Sequence, residues 1–230
     1  MIEGIALERG HEVILKIDVD NRNTLTVEEL KQADAAIEFT APSSAVGNIN
    51  FCLESGVPIV VGTTGWYEHL DAVKETTAKN NGSMVYATNF SVGVNILFAM
   101  NKQMAKWMNQ YPEYAVKVEE THHTQKLDSP SGTAITLAEG ILDNISRKKA
   151  WQKQDVSHSA PLADDILKIA YDRRDGVPGI HEVKYTSGID EIRFSHEAFN
   201  RKGFALGAVL GAEFIVDKKG IYTAADMFGF

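Results

Sequence analysis

The sequence predicts an α/β protein: a doubly wound, Rossmann-like parallel sheet domain with a second α+β domain. Strand-like and helix-like stretches alternate between residues 35 and 88, which is the pattern of successive strand–helix units. Residues 58–61 form an apolar, β-branched run, typical of a strand that is buried on both faces of a parallel sheet. After residue 165, strand-like stretches follow one another without helices between them, which predicts a mixed or antiparallel sheet.

The first domain is expected to comprise residues 1–91 and 203–230. Residues 1–8 are predicted to form a helix and residues 11–18 a strand. Thr26 and Glu29 have the spacing of a capping box, so a short helix should begin there. Pro42 opens a helix that Gly56 ends. The remaining elements of this domain are predicted as strands at 35–40, 58–61 and 84–88 and helices at 68–79 and 203–216.

The second domain is expected to span residues 92–202. Residues 92–110 carry an apolar stripe at helical spacing, and residues 114–121 alternate apolar and polar side chains as a half-buried strand does. A helix is predicted from about 134 to 149. Residues 153–161 are polar and are predicted to form a surface loop that leaves His158 exposed. Strands are predicted at 166–171, 181–186 and 191–196, with a turn at 173–179.

Charge and composition exclude several classes of protein. The 230-residue chain has a net charge of −8, which argues against binding to nucleic acids or to anionic membranes. Its sequence contains neither a membrane-length apolar run nor a signal-peptide pattern. The single cysteine excludes an internal disulfide and a cysteine-cluster metal site. These properties predict a cytoplasmic protein.

Three loops follow neighbouring strands of the predicted parallel sheet. Ligands bind such sheets beyond the carboxyl ends of the strands, so the loops are expected to line a dinucleotide crevice. An acidic residue at the end of a second strand often binds ribose hydroxyls, and Asp18 is placed for that role. The candidate cofactor-binding residues are Asp18, Thr40, Gly62, Thr63, Thr64, Ala87, Thr88, Asn89 and Phe90.

The most informative stretch of the chain runs from residue 119 to 134. It places His122 and His123 at a strand end, Lys126 shortly after them, and Ser131, Gly132 and Thr133 at the start of a helix. The first N–H groups of a helix have no intrahelical partners and carry the positive end of its dipole, so they can bind a carboxylate. Imidazole and ammonium groups nearby could donate a proton or neutralise charge near pH 7.

Other chemistries for this stretch are less well supported. Side chains of successive strand residues point to opposite faces, so His122 and His123 cannot readily chelate one metal, and no metal site is predicted. A hydrolase built from Ser131, His122 and Asp128 is an alternative. It would lack a nucleophile elbow, and Ser131 at a helix start would be poorly activated.

These residues resemble the signature of the 4-hydroxy-tetrahydrodipicolinate reductase family, also called dihydrodipicolinate reductases, of diaminopimelate and lysine biosynthesis. The signature reads His122-His123-x-x-Lys126-x-Asp128-x-Pro130-Ser131-Gly132-Thr133-Ala134. The likeness extends to Phe39-Thr40-x-Pro42, Gly62-Thr63-Thr64-Gly65 and Asn89-Phe90-Ser91-Val92-Gly93-Val94-Asn95, so it covers most of the chain.

The resemblance implies a reaction and a role for each residue. A cyclic, conjugated imine dicarboxylate would be reduced by hydride from NADH or NADPH, with His122 as proton donor and Lys126 as an assisting acid or charge. His123, Ser131, Gly132 and Thr133 would bind substrate carboxylates. The resemblance also implies that residues 92–202 bind the substrate and form the oligomer, a homotetramer assembled through the second-domain sheet. Because cofactor and substrate would bind different domains, hinges are expected near 90–94 and 201–203.

The start of the sequence departs from the family pattern. A Gly-x-x-Gly-x-Met-Gly turn is expected about 20 residues before Asp18, and the sequence does not contain it. We expect from this that the sequence begins inside the first helix of the fold. Val19 follows Asp18, so no arginine stands there to bind a 2′-phosphate, and NADH is expected to be preferred over NADPH. A non-catalytic dinucleotide sensor and a related reductase with another substrate remain the alternatives.

Overall fold

The computed structural model describes residues 1–158 and 160–230. The chain divides into two compact units: residues 1–92 with 202–230, and residues 93–201. Ser159 is part of the predicted polar loop and lies outside the described residues. A membrane-spanning helix is not found in the described part of the chain.

The first unit contains a parallel four-stranded sheet in the order β1-β2-β3-β9. Its strands are β1 (Ala36–Glu38), β2 (Ile59–Val61), β3 (Ser83–Tyr86) and β9 (Gly220–Thr223). Its helices are α1 (Ile2–Glu8), α2 (Val27–Leu30), α3 (Pro42–Glu54), α4 (Leu70–Lys79), α7 (Lys202–Ile215) and α8 (Ala224–Phe228), and a 3₁₀ helix covers Tyr67–His69.

Helices cover both faces of this sheet, as the sequence predicts. Ile59 and Val61 pack into one apolar cluster with α3, whereas Val60 packs into a second cluster with residues of α7 and α8. All three residues of β2 are buried, which explains their uninterrupted apolar sequence. The capping box of Thr26 and Glu29 is present, and Pro42 begins α3. The Rossmann-like α/β prediction is therefore confirmed.

The predicted strand at residues 11–18 is wrong. This segment pairs with no other strand among the described residues, and the side chains of Ile14 and Ile17 are 43% and 37% exposed. Alternation of side chains favours a strand, but a strand also needs a neighbour whose backbone satisfies its N–H and C=O groups. The segment here leads instead into a turn in which the Asp18 carbonyl accepts from Arg22 N–H at 3.0 Å.

The second unit contains a mixed five-stranded sheet in the order β5-β6-β4-β7-β8. Helices α5 and α6 contribute to an apolar cluster on one face of this sheet. The bounds are α5 (Val92–Met108), β4 (Ala115–His122), α6 (Gly132–Leu142), β5 (Ala150–Asp155), β6 (Ile166–Arg173), β7 (Gly179–Thr186) and β8 (Glu191–Ala198).

Two boundaries in this unit differ from the predictions. Helix α6 ends at Leu142 rather than near residue 149, because the Asn144 side chain donates to the Gly140 carbonyl and Asn109 accepts from Ser146 N–H. The predicted loop after residue 153 begins as part of β5, which pairs in parallel with β6. Tertiary pairing stabilises this polar edge strand, and local sequence gives little signal for such pairing.

Candidate active site

Strand β4 carries two ionisable side chains on its buried face. Along it, Val116, Val118, Glu120 and His122 are buried in alternation, and the residues between them are more exposed. Glu120 and His122 therefore occupy positions that are in phase with the apolar residues of the core face. Glu120 is 1% exposed and His122 is 5% exposed.

Four groups surround the buried Glu120 carboxylate. The backbone N–H of Ser131 donates to its two oxygens, with N–O distances of 3.2 and 3.0 Å. Its Oε2 lies 3.5 Å from His122 Nδ1 and 3.8 Å from His181 Nε2. Arg173 Nη1 lies 3.6 Å from Oε1. A buried carboxylate is costly without such partners, so these contacts explain how Glu120 is accommodated.

The His122 imidazole is held in a desolvated position. Burial lowers its pKa to about 4, and the positive charges of Lys126 and Arg173 act in the same direction. Its Nδ1 is buried and makes no hydrogen bond with the described residues. Its Nε2 lies 3.1 Å from where a Cβ on Gly179 would be, so glycine keeps side-chain atoms away from that nitrogen. At pH 7 the imidazole is neutral.

His181 is a member of this cluster that the sequence prediction missed. It lies on β7 directly across from Glu120 in the antiparallel ladder, and its ring meets the His122 ring edge-on with centroids 4.9 Å apart. Burial is the largest cause that lowers the pKa of His181. A sequence signal was available: His181 is separated by two and four residues from Val183 and Tyr185, so it lies on the same buried face of β7 as they do.

Ser131 contacts His181 rather than His122. Its Oγ and His181 Nε2 are hydrogen-bonded at 3.0 Å, and the same Oγ accepts from Ala134 N–H as the cap of α6. Glu120 approaches the same nitrogen of His181, so these residues do not form a Ser-His-Glu relay through both ring nitrogens. The hydrolase built from Ser131, His122 and Asp128 therefore has no support in the geometry.

The other signature residues precede α6 in the chain or lie in its first turn. Lys126 Nζ is paired with Asp128 at 2.7 Å, and His123 is half-buried just beyond the end of β4. Open space lies beside Gly132, because a Cβ there would meet no atom within 4 Å. Thr133 is buried in the first turn. Ser131 N–H is already occupied by Glu120, so its role as a carboxylate donor stays a prediction that would require displacing Glu120.

Glu120, His122 and His181 are close enough to one another to share a cation, with their candidate ligand atoms all within 4.8 Å. The Arg173 guanidinium, however, stands beside the same carboxylate and provides its countercharge. His123, the other member of the histidine pair, is outside this group. The cluster is best understood as a set of hydrogen-bonding and charged groups.

A second candidate site lies at the carboxyl ends of β1 and β2. An open pocket of about 270 Å³ is lined by Phe39, Thr40, Pro42, Gly62, Thr63 and Thr64. Thr40 N–H donates to Thr63 Oγ1 at 2.7 Å, and both threonine hydroxyls donate to the buried carboxylate of Glu38. The other Glu38 oxygen, Oε2, is buried without a hydrogen-bond partner. Four predicted cofactor residues are thus brought together here.

The remaining predicted cofactor residues lie elsewhere. Residues 87–90 directly follow β3, where Thr88 is exposed and Asn89 accepts from Ser91 N–H. The Phe90 side chain is 2% exposed and belongs to the core, so its ring is a packing group. Asp18 is exposed in its turn. The structure does not place Asp18 against the pocket residues.

The pocket has features that fit part of a nicotinamide dinucleotide. It offers polar hydroxyl groups from three threonines for sugar and phosphate oxygens, and the exposed edge of Phe39 beside Gly62. A Cβ at Gly62 would lie 2.1 Å from the Phe39 ring, so only glycine allows this close approach.

Both parts of the chain match family models. The model described as dihydrodipicolinate reductase, N-terminus, matches residues 8–90, and the model described as dihydrodipicolinate reductase, C-terminus, matches residues 93–228.

Curated relatives give the same result over nearly the whole chain. The 4-hydroxy-tetrahydrodipicolinate reductase of Christiangramia forsetii is 42% identical over 98% of this chain and 91% of its own length. The enzyme of the same name from Neisseria meningitidis serogroup B is 31% identical over 99% of this chain and 84% of its own length.

Solved structures support the fold. A dipicolinate-bound dihydrodipicolinate reductase from Paenisporosarcina sp. has a TM-score of 0.70 at 21% identity, covering 98% of this chain and 94% of its own. An amine dehydrogenase from Mycobacterium smegmatis has a TM-score of 0.56 at 11% identity, covering 98% and 91%.

The Rossmann-like unit with its pocket and the second unit with its buried histidine cluster define an NAD(P)H-dependent oxidoreductase. The chain belongs to the dihydrodipicolinate reductase family, whose reaction is the reduction of 4-hydroxy-tetrahydrodipicolinate in diaminopimelate and lysine biosynthesis.

Proposed function

We propose that this chain reduces 4-hydroxy-tetrahydrodipicolinate, after its dehydration to a cyclic imine, to tetrahydrodipicolinate, with His122 as proton donor. The observation that carries this proposal is the position of His122 at the end of β4, where Glu120 lies near both its Nδ1 and the Ser131 N–H that precedes α6, and where the charge of Lys126 acts on it. The reaction fits the biosynthetic role of the family, and we propose a cytoplasmic location for it.

The residues of the second unit have distinct tasks in this proposal. Gly132 and Thr133 bind a substrate carboxylate at the N-terminus of α6, where helix N–H groups and the dipole favour an anion. His123 binds the second carboxylate, and Ser131 caps α6 and so fixes the helix start at which the first carboxylate binds. Lys126 neutralises charge or acts as a second acid. Holding the substrate in one orientation relative to the proton donor removes much of the entropic cost of the reaction.

His122 changes its protonation state when the substrate binds. With a pKa of about 4 the imidazole is neutral at pH 7 before substrate binds. The carboxylates of the bound substrate would raise this pKa and favour the imidazolium form. Thr40, Thr63 and Thr64 would hold the nicotinamide dinucleotide, which supplies the hydride when bound. His122 then donates a proton to the conjugated system and recovers one from water. Oxidation of NADH, followed at 340 nm with freshly generated substrate, tests this function; no oxidation would contradict it.

We also propose that NADH is preferred over NADPH. Val19 follows Asp18, and both nearby cations are engaged elsewhere: Arg22 donates to Asn48 and stacks on Phe51, and Lys16 pairs with Glu3 at 2.5 Å. A 2′-phosphate would therefore meet Asp18 without a free cation to balance it. We expect a higher kcat/KM for NADH, and Val19→Arg should move the ratio toward NADPH by about 10-fold. A wild-type ratio favouring NADPH would refute the preference.

We further propose a homotetramer assembled through the second-unit sheet. Ile189 and Phe199 flank the edge strand β8 and are 94% and 83% exposed, which suits a buried interface. Light scattering should give about four times the chain mass of 25.3 kDa. Replacing Ile189 and Phe199 with lysine should lower that mass, whereas Leu7→Lys on α1 should not. A wild-type mass of one chain would contradict the proposal.

A further inference from the structure

The buried carboxylate of Glu120 lies between His122, the proposed proton donor, and the start of α6, where a substrate carboxylate is proposed to bind. Glu120 lies within hydrogen-bond distance of Ser131 N–H, and its Oε2 lies 3.5 Å from His122 Nδ1. Ser131 caps α6, and His122 ends β4, so one side chain contacts both elements. Glu120 is 1% exposed, and burying a carboxylate costs several kcal/mol before its partners are counted.

We propose that Glu120 is a positioning residue: its carboxylate orients His122 through Nδ1–H and fixes the start of α6 through Ser131 N–H. The proposal rests on the proposed role of His122. A carboxylate beside one imidazole nitrogen favours the tautomer that carries its proton on that nitrogen, and a carboxylate 3.5 Å from Nδ1 leaves Nε2 to deliver the proton. Glycine at position 179 keeps side-chain atoms away from that nitrogen.

The position of Glu120 relative to its neighbours favours this role over simple core packing. Arg173 balances the carboxylate on one side, with Nη1 at 3.6 Å from Oε1, and the guanidinium also donates to the carbonyls of Asp172 and Asp128. The oxygen nearer His122, Oε2, also accepts from Ser131 N–H at 3.0 Å and lies 3.8 Å from His181 Nε2. The 3.5 Å separation between Nδ1 and Oε2 is longer than an ordinary N–H···O hydrogen bond, so the proposal requires the imidazole to move closer to Oε2 when it is protonated.

Glu120→Gln tests the proposal because the amide keeps the size of the side chain and removes its charge. The amide can still accept from Ser131 N–H, but its NH₂ group facing His122 would favour an unprotonated Nδ1. We expect kcat to fall by about 10- to 100-fold, which is less than the loss of about 10²- to 10⁴-fold expected when the general acid itself is removed. Glu119→Gln is the matched control, because Glu119 lies on the opposite face of β4 and pairs with Lys117 and Lys184.

The pH profile separates positioning from a structural role. Charged and titratable groups around His122 are Glu120 and His123 on or next to β4, Lys126 and Asp128 in the following loop, Arg173 on β6 and His181 on β7. Removing the Glu120 charge disfavours the imidazolium, so kcat should begin to fall at a pH lower by about one unit. Glu119→Gln should keep the wild-type profile. An unchanged profile and kcat in Glu120→Gln would overturn the proposal, even if its melting temperature fell.

A second measurement does not depend on activity. Two-bond ¹H–¹⁵N spectra, with His122 assigned through His122→Asn, should show the proton of the neutral wild-type ring on Nδ1. In Glu120→Gln it should move to Nε2. A wild-type ring protonated on Nε2 overturns the proposal, whether or not Glu120→Gln is soluble. If the wild type fails to oxidise NADH while the Nδ1 tautomer is seen, the proposed function fails and the Glu120–His122 contact stands.

Discussion

Replacing His122 with alanine should lower kcat by about 10²- to 10⁴-fold, the usual contribution of a general acid. The imidazole stands at the end of β4, 3.5 Å from the Glu120 carboxylate that accepts from Ser131 N–H, and the positive charge of Lys126 acts on it. Because the substrate carboxylates would bind elsewhere, KM should change much less than kcat. Steady-state oxidation of NADH at 340 nm gives both constants.

Two further variants make this result specific. His122→Asn keeps a donor near Glu120 and fills part of the space, so a loss of activity there cannot be attributed to a cavity. His158→Ala removes an exposed histidine from the same unit and should keep the wild-type kcat. A His122→Ala enzyme with the wild-type kcat would remove His122 from the reaction and leave Lys126 as the remaining candidate acid.

Local sequence was sufficient for the elements whose stability is local. Pro42 and the Thr26–Glu29 capping box predicted where helices begin, because they satisfy or replace the N–H groups of a first turn. The run at β2 predicted a strand buried on both faces, because each of its residues contacts apolar side chains on one face or the other.

The same reasoning failed where pairing decides the structure. Residues 11–18 alternate like a strand but lie unpaired among the described residues, whereas polar β5 is a strand because β6 pairs with it. Hydrogen bonding to a distant segment determines both outcomes, and a short window of sequence does not contain that segment.

The candidate site was predicted in part for the same reason. His122, Lys126 and the start of α6 are close in sequence, so their proximity could be inferred from one strand and one helix. Glu120 was within the same stretch, and its phase with Val116 and Val118 was the missed signal. His181 lies opposite Glu120 only because of the register between β4 and β7, which no local pattern reveals.

Gly207→Ala should destabilise the first unit by about 3 kcal/mol or more, beyond ordinary overpacking. Gly207 lies in α7, and a Cβ there would be 1.7 Å from the carbonyl oxygen of Phe90 and 2.6 Å from its carbonyl carbon. Those atoms belong to backbone, so no side-chain rotation relieves the overlap. Helix α7 would have to move away from β2 and β3, whose Val60 and Val85 pack in the same apolar cluster as Phe90.

Gly47→Ala provides the matched control, because Gly47 is exposed in α3 and a Cβ there would meet no atom within 4 Å. That change should stabilise the chain by about 0.5–1 kcal/mol through helix propensity. Urea unfolding followed by circular dichroism would place the midpoint of Gly207→Ala far below that of the wild type and Gly47→Ala at or above it. Equal midpoints for Gly207→Ala and the wild type would show that α7 can separate from the Phe90 backbone without loss. The packing of β2 and β3 against α7 would then contribute little to the stability of this unit.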